Sequence, residues 1–579
     1  MYADKDNKQT AAPAHRLKRL LERDSVFFVC IFTLLALAAC WPILFHPARH
    51  LSVMPTADKG ANLWNLWWVY YALFERGISP LRCDMIFIPW GCDLRCHTLS
   101  IANGLIASPV TGRLGPSIAY NLLFLVWTLL TGCFAAMWAQ RFGASRWTAV
   151  MAGVIAAFGP YRWGHQNHLN LFSTPWLFLA FYFCERSVES KNIRYAAAIA
   201  LAWILALFTD WYYGLFVGFY LTIRACLLIL THRSAGSVSW ALKFWIAPAI
   251  VVYLAVFSYF FGAPALENYV DSVPMKFSAF WSMDLMHFVL PLWLLPHFPL
   301  LQQNEEFGFH PGFVWMLLPL VFYRFAGGSQ KGRANRTFLL TTAGVFFLFS
   351  LGPVLMWNAH PVRIFYGIPV FLPASVFELI PGLTVIRVYA RFAYIGFTAC
   401  LLLGLLGLQN WMLVRGWRRR TGMVYLILAG FFFLETGWRF PRMVDYPSPP
   451  LFFSESPKPV LELPFEPSIY GGLHLYHQTL HKQPIFVAEF SRLGKYRQKY
   501  LEDFPALPLL NRAACGENLP ADPEFDREFF CRELHRLGQA HIILGALESG
   551  ESNSEALRDS LQNVLRLCQK DGALNPLEN

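Results

Sequence analysis

The chain has 579 residues, 55% hydrophobic and 15% charged, with a formal net charge of +11 and a mean hydropathy of +0.38. Soluble domains carry about a quarter charged residues, so a soluble enzyme, a disordered chain, a collagen-like repeat and a small disulfide scaffold are excluded. The 21 Trp, 23 Tyr and 52 Phe suit a chain whose solvent is largely lipid, with amphipathic rings at its interfaces.

Charge divides the chain. Residues 1–440 hold 34 Lys+Arg against 18 Asp+Glu, and residues 441–579 hold 14 against 19. The basic excess therefore reports membrane topology, and no nucleic-acid partner is expected. Six of the 12 cysteines lie in apolar runs, where free thiols act as small hydrophobes. The other six lie in hydrophilic segments, where an oxidising compartment favours disulfides.

Residues Lys5 to Arg23 are basic, but the apolar run after them is long enough to stay in a bilayer, so no cleavable signal is read. About 11 spans follow, near 26–45, 118–139, 147–160, 173–184, 195–210, 213–230, 244–262, 312–323, 337–357, 392–414 and 423–440. With the N-terminus cytoplasmic, 22 of the 34 basic residues up to position 440 fall inside, in loops that are all short. The fold class is an α-helical polytopic membrane protein. Residues 1–440 form the transmembrane domain with long outer loops at 46–117, 263–311 and 358–391, and residues 441–579 form a small extracytoplasmic α/β domain.

In the first loop, the aromatic run from Leu63 to Phe74 is helix-compatible and is expected to lie in the interface plane. The tail opens with the linker signal Tyr446-Pro-Ser-Pro-Pro. It continues with a short strand pattern at Pro459-Val-Leu-Glu-Leu-Pro-Phe and ends in a helical pattern from Ser554 to Lys570.

Candidate chemistry begins at Asp58, in Pro55-Thr-Ala-Asp-Lys-Gly-Ala-Asn-Leu-Trp-Asn-Leu-Trp-Trp. A carboxylate held near a membrane surface can act as a general base, and it can equally cap a helix. Asp84 offers a second loop acid, beside Asp93, which reads as a turn cap in Gly91-Cys-Asp. Arg162, His165 and His168 lie in Gly159-Pro-Tyr-Arg-Trp-Gly-His-Gln-Asn-His, at the end of the third span. The i, i+3 histidines share a helical face and suit a phosphate, or else simply solvate a helix end. Arg387 and Arg391, at i, i+4 on a side where basic residues are scarce, suit phosphate better than headgroup snorkelling. Asp284 and the Glu305-Glu306 pair are further loop acids, and Asp210 stands at a span end as a site acid or a cap. Glu435 is the acid read as lying inside an apolar span, so a partner is expected for it. Cys83, Cys92, Cys96 and His97 do not match a zinc spacing, and disulfides are favoured there. No Walker loop, dinucleotide fingerprint, HExxH or Gly-x-Ser-x-Gly elbow is present.

The combination of Asp58 ahead of Trp64-Asn-Leu-Trp-Trp, then Pro89-Trp-Gly-Cys-Asp-Leu, Tyr120-Asn-Leu-Leu, Pro160-Tyr, His168-Leu and Leu379-Ile-Pro-Gly-Leu before Arg387 and Arg391 resembles the GT-C class of integral-membrane glycosyltransferases, in particular bacterial members with an external C-terminal domain. Val460-Leu-Glu-Leu-Pro-Phe and Tyr476-His-Gln-Thr-Leu-His-Lys-Gln-Pro-Ile resemble that external domain. The resemblance implies an enzyme of the bacterial cytoplasmic membrane using a polyprenyl-phosphate-linked sugar donor flipped to the outer face. Transfer would be inverting, to a lipid, glycan or protein acceptor. On this basis Asp58 matches the first-loop catalytic acid and Asp84 a second one. Arg387 and Arg391 match the region that holds the lipid phosphate, with Arg162, His165 and His168 adding to it. No cofactor is required, and a divalent ion is optional. Lys59 stands where some branches carry a second adjacent Asp, which leaves the acceptor type open. The rival readings are a transporter or flippase for a lipid-linked or anionic substrate, and a scaffold whose tail binds envelope partners.

Overall fold

The computed structural model describes residues 24–51, 57–231, 235–263, 275–436, 443–444, 459–514 and 541–544, apart from gaps at 292, 302–304, 308–309, 381–382, 384–385, 466–467, 489 and 491–492. The basic N-terminus, the linker at 446–450, the helical pattern at 554–570 and Cys515, Cys531 and Cys568 lie outside the described residues. The chain forms two compact units. One comprises residues 1–45, 122–258 and 273–441; the other comprises 46–121, 259–272 and 442–579.

The first unit is helical. Each of the 11 apolar runs carries helix. Among the described residues, however, four helices are long and apolar enough to cross a membrane: Pro116–Arg141, Trp211–Thr231, Val238–Phe260 and Tyr389–Val414. The count of about 11 spans is corrected accordingly, while a multi-pass membrane protein stands. The reason is length. A hydrocarbon core about 30 Å thick needs about 20 helical residues, and several runs are cut short by their own sequence. Arg146–Phe158 has 13 residues because Gly159 is extended and Pro160 opens the next turn. Pro175–Ser190 and Arg194–Thr209 have 16 each.

Small residues let the helices of this unit meet closely. A Cβ on Gly404 would lie 2.7 Å from the Pro319 nitrogen, and one on Gly407 would lie 2.0 Å from the Phe322 carbonyl oxygen, so the Ala393–Val414 helix touches Phe313–Phe322 backbone to backbone. The partner expected for Glu435 is the first turn of that same helix, where the Val314 amide donates to both carboxylate oxygens at 3.1 and 3.2 Å. A fully enclosed acid, Glu185, was not anticipated. Glu185 accepts from Arg224 at 2.6 Å and from the Tyr220 hydroxyl at 2.8 Å.

In the second unit the Ala57–Tyr70 helix is central. Its aromatic run, which suggested a helix laid against an interface, is covered by protein. Trp64, Trp67 and Trp68 are buried in the core of this unit with Leu475 and Phe490. Trp64 stacks on Trp68 at 5.5 Å and donates its indole N–H to Gln478 at 2.7 Å. The aromatic stripe reads as amphipathic only while its covers are unknown. Ile101–Leu114 supplies one, with Gly104 seated against Val69, and Ser468–His481 supplies the other, with Gly60 against Gly472. The α/β character of the tail appears as strand Val460–Leu463 paired in parallel with His541–Leu544, extended by Ile485, which bridges both Val460 and Ile86.

Candidate functional site

In the first unit, a buried group of charges forms where the Tyr389–Val414 segment begins. Pro160 starts the short Pro160–Gly164 helix and Gly164 ends it, leaving His165 fully buried behind the turn. Its Nδ1 lies 2.7 Å from the Tyr161 carbonyl, an acceptor only, so Nδ1 carries a proton there. Its Nε2 lies 3.2 Å from Glu306, at ion-pair distance but poorly aligned for a hydrogen bond. Glu306 comes from the Glu305–Phe307 turn, whose Phe307 stacks on Trp281 and His287. Arg391 closes the group, with its Nε 3.1 and 3.0 Å from the two Glu306 oxygens and its Nη2 in contact with one of them. Burial alone would raise the Glu306 pKa. Arg391 and His165 more than offset this and hold the carboxyl well below its ordinary range.

Tyr212 orders the approach to this group. Its ring lies 4.8 Å beneath the Arg391 guanidinium, and its hydroxyl accepts from the amides of Arg387 at 3.2 Å and Val388 at 2.9 Å. Asp210 in turn accepts from the Tyr212 amide at 2.9 Å and from Asn170 at 2.7 Å, so it serves as a cap. Arg387 is half-buried.

Arg162 is not part of this group. It is fully buried, with Nε donating to the Phe172 carbonyl at 2.8 Å, Nη1 to Ala157 at 2.7 Å, and its plane 3.5 Å from the Phe172 ring centroid. His168 precedes the Leu169–Phe172 helix, its ring 5.5 Å from that of His165. Asp284 is a structural acid here. One oxygen accepts from the amides of Met286 and Asn358 and the other from Ala359, while His287 completes a capping box. Asn358 and Ala359 both have positive φ, which turns their two N–H groups onto that carboxylate.

In the second unit, Asp58 is exposed in the first turn of the Ala57–Tyr70 helix, where a negative side chain suits the helix dipole. Its carbonyl accepts from Asn62 at 2.8 Å. The next residue, Lys59, is fully buried with its ammonium 4.5 Å from the Tyr120 ring centroid, and burial lowers its pKa to about 7. Asp84 is bound by a two-bond fork from Arg76, at 2.5 and 2.8 Å, which lowers its pKa. Cys83 and Cys92, which lie where disulfides were expected, oppose each other on two paired strands as free thiols. Among the described residues, no three His, Cys, Asp or Glu side chains are grouped so as to hold a metal ion.

The role of Tyr212, the partner of Arg391 and the burial of Lys59 escaped the sequence. Only Glu306 had left a signal, as an acid in a long outer loop.

Among solved structures, the chain is similar to the Archaeoglobus fulgidus oligosaccharyltransferase in its apo form, with a TM-score of 0.48 and 9% identity. The same enzyme complexed with Zn and sulfate gives 0.45 and 10%, and the form tethered to an acceptor peptide gives 0.44 and 9%. The matches cover 80% of this chain but only 62–64% of those chains. No curated protein matches it. Residues 104–429, more than half of the chain, match the family described as a domain of unknown function (DUF6311), and the chain belongs to that family.

Proposed function

We propose that this chain is a membrane glycosyltransferase that takes a sugar from a polyprenyl-phosphate-linked donor at the outer face of a bacterial cytoplasmic membrane. The N-terminus is cytoplasmic and the tail extracytoplasmic. Residues Arg387 and Arg391 hold the lipid phosphate, and Asp58 is the general base. The observation that supports this reading best is the buried Arg391–Glu306–His165 group at the head of an apolar helix, because ionisable side chains kept in such a place are costly and usually functional.

In the reaction, an acceptor hydroxyl or amine attacks the anomeric carbon from the face opposite the phosphate. The anomeric C–O bond breaks, its electron pair leaves with the polyprenyl phosphate, and the acceptor's proton passes to the Asp58 carboxylate. Negative charge grows on the departing phosphate, where preplaced guanidinium donors in a poorly hydrated setting stabilise it. Because Arg391 is balanced by Glu306, it takes up the phosphate by exchange of partners. A divalent ion is optional in this scheme, and no step is routed through one. The acceptor is a lipid, glycan or protein.

The test uses the purified chain in nanodiscs with a radiolabelled undecaprenyl-phosphate-linked hexose and an envelope extract as acceptor. Loss of label from the lipid and its appearance on an acceptor support the enzyme, with Asp58→Asn abolishing transfer while donor binding survives. Unaltered transfer by Asp58→Asn overturns the assigned base. Movement of intact donor across a vesicle membrane without transfer overturns the enzyme in favour of a flippase.

A further inference from the structure

The segment between the Gln330–Ser350 helix and Tyr389–Val414 carries a small double hairpin that the proposed chemistry does not use. Met356–Trp357 pairs with His360–Pro361, and Arg363–Ile364 pairs with Ile368–Pro369, both antiparallel. The two hairpins are laced together by Leu355 N–H to Val370 O, Val362 N–H to Leu355 O and Val370 N–H to Val362 O, each 2.9 Å. The backbone of this motif therefore satisfies much of its own hydrogen bonding, which is what a segment entering a water-poor layer requires.

Its side chains run the other way. Phe365 is 83% exposed and Tyr366 wholly so, flanked by exposed Ile364 and Ile368. Tyr366 also sits at a φ of 59°, a conformation that a bulky residue rarely adopts. The tip is nonetheless fixed, because Arg363 donates to the Gly367 carbonyl at 2.7 Å. The base is fixed as well, since Phe377 packs on Phe349 at 5.3 Å and on Tyr389 at 6.4 Å. A rigid loop that offers aromatic and aliphatic side chains beside one arginine has the composition of a membrane-interface anchor.

We propose that this hairpin is a lipid-binding finger: Phe365 and Tyr366 enter the headgroup and upper acyl layer of the leaflet at their own end of the helices, with Arg363 at the phosphates. The occupant is the bilayer because the base of the finger packs, through Phe377, on Tyr389 at the head of a segment long and apolar enough to cross it, and because the preceding Gln330–Ser350 helix also exposes Leu340 and Leu348. The inference stands apart from the glycosyltransferase reading.

The test places an environment-sensitive fluorescent amino acid at position 366 of the full chain, in nanodiscs of phosphatidylethanolamine and phosphatidylglycerol. Lipids carrying a nitroxide high on the acyl chain should quench most of the emission, while aqueous iodide should quench little. Quenching by iodide without quenching by lipid would put the tip in water and overturn the proposal. Protection from both would put it against protein and overturn it as well. If labelling at 366 prevents folding, the same measurement at position 368, on the neighbouring strand, decides between the same outcomes.

Discussion

Arg391 and Glu306 meet as a guanidinium fork against a carboxylate, both side chains largely buried, with Nε 3.0 and 3.1 Å from the two oxygens. The chain thus supplies its own counter-ion to the cation that would grip a phosphate. Glu306→Gln leaves Arg391 without its counter-charge and should lower stability by about 3 kcal/mol, the usual cost of breaking a buried pair from one side. Arg391→Gln should cost a comparable amount, and the double variant less than the sum of the two. Chemical unfolding of all four proteins in one detergent checks this coupling.

The same carboxylate sets a pH limit. The folded-state pKa of Glu306 is depressed, so its contribution is complete above the unfolded value of about 4.3 and is lost as pH falls through the folded value. Stability of the first unit attributable to Glu306 should therefore be level from neutral pH to about 5 and decline only in stronger acid. Comparison with Glu306→Gln across that range isolates it, and an equal decline in the variant would refute the assignment.

Much of the helical layout was legible, because apolar runs interrupted by Gly-Pro, Thr-Pro and basic clusters can only be helices with ends. Their function as spans was not legible, since a run records hydrophobicity while a span also needs unbroken length. The 159–160 break shows the difference. The Trp64–Trp68 stripe misled for a related reason: its covers, Gly104 and Gln478, lie far away in sequence. At the site, Arg391 was visible as a cation against topology bias, but its partner stands 85 positions earlier, and no local pattern links a loop glutamate to it. Arg162 stands in a promising motif too, but its Nε and Nη1 donate to the nearby Phe172 and Ala157 carbonyls, contacts that no local pattern foretells.

Lys59 should respond to alkali. Its folded pKa of about 7 lies below the unfolded value of about 10.4, so the folded state binds fewer protons between them and stability rises with pH across that window. Lys59→Met should remove that rise and stabilise the second unit at neutral pH by about 2 kcal/mol, less the cation–π contact with Tyr120. Unfolding at pH 7 and pH 9.5 reads both effects.

Gly60→Ala tests the helix crossing behind Asp58. The added Cβ would fall 1.8 Å from the Gly472 carbonyl oxygen and 2.5 Å from its carbon, both backbone atoms that cannot rotate away. The helices would have to separate, costing about 3 kcal/mol or more and breaking the Trp64–Gln478 hydrogen bond. Faster amide exchange in both Ala57–Tyr70 and Ser468–His481 should report it. Exchange unchanged in either helix would show that the crossing is looser than described.

A last expectation concerns acid and the tail. Glu462 of the Val460–Leu463 strand faces His474, His477 and His481, which occupy one face of the Ser468–His481 helix, and all four are buried. Glu462 contacts His477 directly and lies 3.9 Å from His474. His481 accepts from the Gln483 amide through Nδ1, so its neutral form carries the proton on Nε2, and burial lowers its pKa to about 4. Its unfolded value is about 6.5, so the folded state resists a proton that the unfolded chain takes up, and stability falls as pH drops between those values. The full loss is about 3 kcal/mol. His481→Gln keeps an acceptor for the Gln483 amide and removes the titration, so it should flatten the loss between pH 6.5 and 4. Amide exchange of the helix, corrected for the intrinsic pH dependence, measures this, and a wild-type profile that is itself flat there would mean that His481 takes its proton without disturbing the fold.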